Sequence, residues 1–369
     1  MNDKTTYLIT ARPIDRYFFG SERSFVPADG SRDNYLVRSN TIPQQTTLMG
    51  LVRYAVLKNL ITNDTLKDKS DIVKIGNNSF DGNEATSFGV IENISPLFLM
   101  KNGKNIEPAG LNCQRYVKHE QSGGSTISFS NEQKGKTQMA NVVDYVPRLK
   151  EFEHKQKNEL HWQDAHGTLI KPDEIFGYTS QPGNQKSYTG QAKNDAFFKQ
   201  TFCYLKNGYC FAFYLTTNEV IDEGSFRSFM GGDGSEFKFT IQHKENHFKN
   251  EAPDGVDDND LHMVTLISDS FIPNSALQKT LFSINELKDF RYLQTKTSFN
   301  NYADIDTKAN GALSGARVTK SRKTLLAAMG SVFYVTGNNL SYFIEEINKQ
   351  KAYQKIGYNY FKHIKIPNK

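Results

Sequence analysis

From about Asn112 to Asp195 the chain is polar, rich in Gly, Gln, Asn and Lys, and without a sustained hydrophobic period. A structureless loop of that length is improbable inside a compact domain. The stretch therefore reads as an insertion, with room for a hairpin, between two segments of regular structure. This divides the chain into a first domain at 1–111, the insertion at 112–195 and a second domain at 196–369. A chain of 369 residues suits two such domains, at roughly 150 residues per domain.

The flanking segments carry the periodic signals. Thr5–Ala11 reads as a first strand, and Arg12–Gln45, punctuated by Pro13, Gly20, Pro27, Gly30 and Pro43, as irregular chain. A helix is expected from about Thr46 to Leu60, because Leu48, Leu51, Val52, Ala55, Val56 and Leu60 fall on one face, with Thr46 or Thr47 as N-cap. Short strands are expected at Phe88–Glu92 and Leu97–Met100. Beyond the insertion, Gln200–Lys206 and Tyr209–Thr216 flank Asn207-Gly208, a hairpin signal. Ser225–Met230 suggests a short helix closed by Gly231 and Gly232. Phe237–Gln242, His262–Ser268 and Val332–Val335 read as strands, and Leu340, Phe343, Ile344 and Ile347 mark a second amphipathic helix. The order implies an α+β fold of two units, each an antiparallel sheet with helices on one face.

Charge adds a direction. The formal net charge is +5, yet residues 320–369 hold nine Lys or Arg against two acids, a local net of +7, while 251–260 hold five acids. The C-terminal segment is therefore a candidate anion-binding face, and a solvated Lys-rich tail is the plain alternative. Three cysteines and a start that runs from Met1 straight into the strand-like Tyr7–Ile9 point to a reduced, cytoplasmic setting. No apolar run approaches the ~20 residues that span a bilayer, so no membrane is expected.

Three regions suit phosphate and unpaired bases. In the first, Arg12, Arg16 and Arg23 alternate with Tyr17, Phe18, Phe19 and Phe25. Guanidinium groups hold phosphate bidentately and rings stack on bases. The rings read better as core, and Arg23 as the functional residue. In the second, Arg38 leads to the helix start at Thr46 and Thr47, followed by Arg53. Free N–H groups at a helix start attract anions. Gly50 inside the helix costs ~1 kcal/mol relative to Ala, which close approach of another backbone, of RNA or of a packed sheet would explain. In the third, Lys320, Arg322 and Lys323 lead into Ala328-Met329-Gly330, and Gly357 forms a turn next to Tyr358 and Tyr360, either of which has a ring able to stack a base.

Catalytic signatures are wanting. There is no GxxxxGK[ST] phosphate loop. Gly231-Gly232-Asp233-Gly234 looks like a cyclase metal loop, but glycine follows Asp233 where that chemistry needs a second carboxylate. His154, His161 and His166 match no metal spacing, and Cys203 and Cys210 complete none. No metal or cofactor is expected.

The series formed by Arg12–Phe25 leading to Thr41–Arg53, Gln200–Tyr214, Met230–Gln242, and Lys320–Tyr334 followed by Gly357–Phe361 resembles the Cas5-like RAMP subunit of type III-B (Cmr) CRISPR effector complexes. The resemblance implies tandem ferredoxin-like (RRM-related) folds with a long polar insertion. It implies a non-catalytic, RNA-binding scaffold in antiviral defence that grips the repeat-derived 5′ handle of the crRNA. It also implies contacts with the large polymerase/cyclase-like subunit and the backbone RAMP subunits, and with target RNA indirectly. The RNA-binding set on this reading is Arg23, Arg38, Thr46, Thr47, Arg53, Lys320, Arg322, Lys323, Gly357 and Tyr358. The alternative is a guide-processing endoribonuclease of the same superfamily. Such an enzyme commonly needs a histidine base near the first helix, and the first histidine here is His119.

Overall fold

The computed structural model describes residues 4–21, 23–25, 35–60, 75–76, 79–111, 128–130, 146–148, 159–186, 188–250, 255–258, 260–295 and 318–366. In chain order these form β1 (Thr5–Pro13), β2 (Arg23–Phe25), β3 (Tyr35–Arg38), α1 (Gln45–Leu60), β4 (Ile91–Ile94), β5 (Phe98–Lys101), β6 (Lys104–Pro108), β7 (Ser128–Ser130), β8 (Val146–Arg148), β9 (Trp162–Asp164), β10 (Leu169–Ile170), α2 (Pro172–Ile175), β11 (Phe176–Lys186) and β12 (Ala192–Leu205). There follow β13 (Tyr209–Thr217), β14 (Gly224–Phe229), β15 (Glu236–His243), β16 (Leu261–Leu266), α3 (Asn274–Leu277), β17 (Phe282–Ile284), β18 (Leu287–Phe290), β19 (Leu293–Thr295), β20 (Val318–Lys320), β21 (Thr324–Ala327), β22 (Val332–Thr336), α4 (Gly337–Asn348), α5 (Lys351–Lys355) and β23 (Phe361–Ile366). The fold is α+β, as the periodicity implies.

A nine-stranded sheet runs β10-β9-β6-β5-β13-β1-β15-β14, with β4 also on β13. Its centre follows from sequence. Phe211–Thr217 is buried at every position, so β13 is covered on both faces and takes an inner place, antiparallel to β1 and to β5. That placement corrects one expectation. The Asn207-Gly208 turn forms, with Gly208 at φ +89° and the Tyr209 N–H on the Lys206 carbonyl at 3.2 Å. Its strands nevertheless part into different sheets, because both edges of β13 are already taken. β12 instead pairs with β11 and, in parallel, with β3, giving the sheet β11-β12-β3-β2.

Ser225–Met230 is a second correction: it is strand β14, not a helix. Ser225, Arg227 and Phe229 face solvent while Phe226 packs on the core, a period of two that suits an edge strand on β15.

The third sheet, β17-β22-β16-β23, is antiparallel throughout. Leu340, Phe343, Ile344 and Ile347 of α4 lie over Val264, Leu266, Phe333 and Val335 in one buried cluster. Gly337 lets this helix start against the backbone at Asp257, its N–H donating to the Asp260 carbonyl at 2.7 Å. A larger core joins the first sheet to Leu48, Met49, Leu51 and Val52 of α1, and continues to Phe290, Tyr292, Tyr353 and Tyr358. The first sheet therefore takes strands from both sides of residues 112–195 and from within them, and β12 crosses position 195.

A polar chain links the first and third sheets. The Tyr214 hydroxyl meets His247 Nδ1 at 3.1 Å, His247 Nε2 meets a Glu107 carboxylate oxygen at 3.0 Å, and Lys362 of β23 closes on Glu107. His262 stands apart: it is 3% exposed and, among the described residues, neither ring nitrogen finds a hydrogen-bond partner. Burial lowers the pKa of His247, His262 and His363, with Asp260 pulling the other way on His262. These groups are held neutral in the fold, so their contribution is complete above the unfolded value of ~6.5 and fades as pH falls through their lowered values. Melting temperature is expected to fall from pH 7.5 to 5. His262→Phe should hold or raise stability at pH 7.5 and flatten that fall, since it removes an unpaired buried polar ring. An unaltered pH slope in the variant would remove His262 from the account.

Candidate nucleic-acid interface

Helix α1 begins where Gln44 turns in. Its carbonyl takes the N–H groups of Thr47 and Leu48 at 2.9 and 3.2 Å, so Gln44, rather than a threonine, flanks the start. Gln45 is buried, and its side-chain amide donates to the Ser95 carbonyl at 3.0 Å and the Gly357 carbonyl at 2.8 Å. The helix start and the C-terminal turn, both singled out in sequence, therefore meet.

The manner of meeting corrects two expectations. Gly357 is at φ +86°, and a Cβ there would overlap the Gln45 amide and the Ser95 carbonyl. Internal packing is by itself enough to require glycine here. Tyr358 is 1% exposed, its ring 5.4 Å from Phe290 and 6.1 Å from Tyr353. A ring so enclosed has no face for a base. Its hydroxyl lies beside the first turn of α1. Burial, then the Asp269 carboxylate, drive its phenol far above the ordinary value, although Thr46 and Gln45 draw it down, so it stays neutral. Tyr358 thus occupies the helix start where an anion was expected.

Arg53 also turns inward. It donates to the Gly76 carbonyl at 2.5 Å and lies 5.7 Å from the Phe88 ring, which Lys355 approaches at 5.6 Å. These contacts give Arg53 a packing role within the fold. The outer side of α1 is different. Thr47 is half-buried on the first turn, Gly50 is exposed with nothing among the described residues within 4 Å of a Cβ, and Tyr54, one turn on, is 57% exposed. Tight packing therefore does not account for Gly50. Tyr54 escaped the sequence reading, although its spacing of four from Gly50 puts both on one face.

Lys320, Arg322 and Lys323 are all exposed on a ribbon built from the ladders β18–β21 and β19–β20. Along Leu287–Leu293 burial alternates. Phe290 and Tyr292 point to the core, while Leu287, Asp289, Arg291 and Leu293 point out. Lys323 pairs with Asp289 at 2.5 Å, an exposed pair of little energetic weight. Since Phe290 packs on Tyr358, the basic ribbon is anchored to the same junction as α1.

Arg38 lies elsewhere, on β3 of the hairpin sheet, its guanidinium 4.4 Å from the Tyr178 ring centre. Tyr178 is partly exposed and its phenol pKa is raised by burial. Arg23 pairs through its backbone with Val37, and its side chain lies outside the described residues. The structure therefore gathers Thr46, Thr47, Gly357, Tyr358 and the Lys320–Lys323 cluster, and leaves Arg38 and Arg23 on a separate sheet.

With this geometry in place, comparison with known proteins is direct. Residues 9–365 match the family described as CRISPR-associated protein (Cas_Cmr3). The chain belongs to that family, so the resemblance to the Cas5-like subunit of type III-B complexes is borne out. No curated protein matches it. Among solved structures, a chain of the type III-B Cmr-β complex bound to cognate target RNA is 13% identical, with a TM-score of 0.48 and 96% of each chain covered. A chain of the same complex with cognate target RNA and AMPPnP, state 1, is 12% identical, with a TM-score of 0.48 and 95% of this chain and 94% of that chain covered. Among the described residues, no helix is long and apolar enough to cross a membrane.

Proposed function

We propose that this subunit is a non-catalytic scaffold that grips the repeat-derived 5′ handle of the crRNA and bridges the large polymerase/cyclase-like subunit to the backbone RAMP subunits. Membership of the family supports the assembly. The observation that carries the RNA role is the junction itself: a helix start near residue 45, a turn at 357–358 and the basic ribbon at 320–323 converge, although far apart in sequence. The ribbon offers fixed cations for phosphates, and the Thr47–Gly50–Tyr54 face offers a hydroxyl, an open backbone and a ring. Arg38 over Tyr178 offers a further stacked cation. Arg53, Gly357 and Tyr358 act from beneath, as supports. The polar chain at His247 supports the non-catalytic reading, because Tyr214 is buried and Glu107 is already engaged by His247 and Lys362.

Two ferredoxin-like units are part of the proposal, with 112–195 as the inserted region. Strand order supports them. The third sheet has the order second-third-first-fourth, with α3 after its first strand and α4 and α5 after its third. The run β5-β13-β1-β15 repeats that order, with α1 after β1 and with β14 where a second helix would stand.

Gly50→Ala tests the α1 face. Alanine should stabilise the free chain by about 1 kcal/mol, since nothing crowds the site, while guide retention in the complex falls. Added stability with full retention would free this face of any role in binding.

A further inference from the structure

The face of the nine-stranded sheet opposite α1 is covered only in part. Over Leu8, Phe98 and Tyr214 lie Phe248 and Ile267. Farther along, a row of cations is uncovered. Arg12 of β1 stands opposite Lys238 of β15, and Lys238 opposite Arg227 of β14. All three are exposed. With strands ~4.8 Å apart, the row spans about 10 Å. Like charges directly opposite one another destabilise a sheet, so the fold by itself gains nothing from the arrangement. Among the described residues one carboxylate reaches the row, that of Glu236, 3.8 Å from Arg227.

Two residues along each strand, on the same face, lies a row of hydroxyls, Thr10, Thr240 and Ser225, with Thr10 and Thr240 oxygens 2.5 Å apart. At the Arg12 end a cleft of about 550 Å³ opens, its walls including the exposed Tyr204 and Lys206, with Asp15 beside them. At the other end Phe229 is 67% exposed. Cations in line, hydroxyls beside them and a cleft with the exposed Tyr204 ring at the end form a path that suits a sugar–phosphate strand with one base turned in. An interface core for a folded protein would be apolar and poor in lysine, which this face is not.

We propose that the Arg12–Lys238–Arg227 row binds the backbone of a single-stranded RNA segment, at a surface separate from the α1 junction. The proposal goes beyond the handle reading and does not depend on it.

The test uses a labelled oligouridylate, which has no handle sequence, with the full-length chain between 50 and 200 mM salt. The triple variant R12Q/R227Q/K238Q should lower the slope of log affinity against log salt by about 2, as expected for three contacts at ~0.7 each. R12Q alone should lower it by about 0.7, which keeps the test decisive if the triple variant folds poorly. The triple variant should also melt no lower than wild type, because three facing like charges have been removed, and its complex should keep its guide RNA. An unchanged slope overturns the proposal, as does absence of oligouridylate binding by wild type at 50 mM salt. An unchanged slope together with loss of a protein subunit from the complex would overturn it in favour of an acidic protein partner.

Discussion

Gly357→Ala is expected to destabilise the chain by about 3–5 kcal/mol, the sum of left-handed backbone strain and the loss of buried amide hydrogen bonds. The alanine methyl would displace the Gln45 side chain, which holds Ser95 and Gly357 together. With Gln45 moved, Tyr358 would lose its place at the start of α1. Gly103→Ala is the matched control. Gly103 has φ +81° but open space around it, so it should show the strain alone, about 1–2 kcal/mol. Urea unfolding of both variants reads the difference. Equal losses would mean that the turn does not clamp the helix start.

Neutralising Lys320, Arg322 and Lys323 to Gln should leave stability nearly unchanged and weaken guide retention steeply with salt. Their side chains are exposed, and among the described residues their one ion pair, Lys323 with Asp289, is exposed on both sides. If each cation meets one phosphate of a single strand, the salt slope falls by about 2 and affinity near physiological salt drops by an order of magnitude or more. Arg53→Ala should behave in the opposite way. It would cost stability through the lost Gly76 and Phe88 contacts and leave the salt slope alone. Unfolding curves and guide retention across a salt series separate the two patterns. A full slope in the ribbon variant would remove the ribbon from the RNA site.

How much of this was legible in the sequence depends on what each signal encodes. The strands β1, β13, β15, β16 and β22 and the helices α1 and α4 announce themselves, because burial of one or both faces leaves a period in the residues. Leu340, Phe343, Ile344 and Ile347 are the clearest case. The ribbon from Leu287 to Ala327 left little trace, since its strands are three or four residues long. The hairpin at Asn207-Gly208 misled because turn chemistry is local, whereas the choice of sheet belongs to β13, which needs partners on both edges. The site was legible as segments but not as roles. An arginine on the flank of an apolar helix stripe, like Arg53, reads the same whether it reaches for RNA or folds back onto a carbonyl. An aromatic after a glycine, like Tyr358, reads the same whether it stacks a base or caps a helix. Gly50 was read with three explanations open, and among the described residues the empty space around it speaks against the two internal ones.

The central claim is that this chain holds guide RNA within a multi-subunit effector. It is tested most directly by affinity purification of the tagged chain from its native host, with sequencing of the RNA that comes with it and identification of the proteins. The account predicts short RNAs sharing one constant 5′ end, together with a large polymerase-like subunit and several RAMP subunits. A chain recovered alone and free of nucleic acid would contradict it.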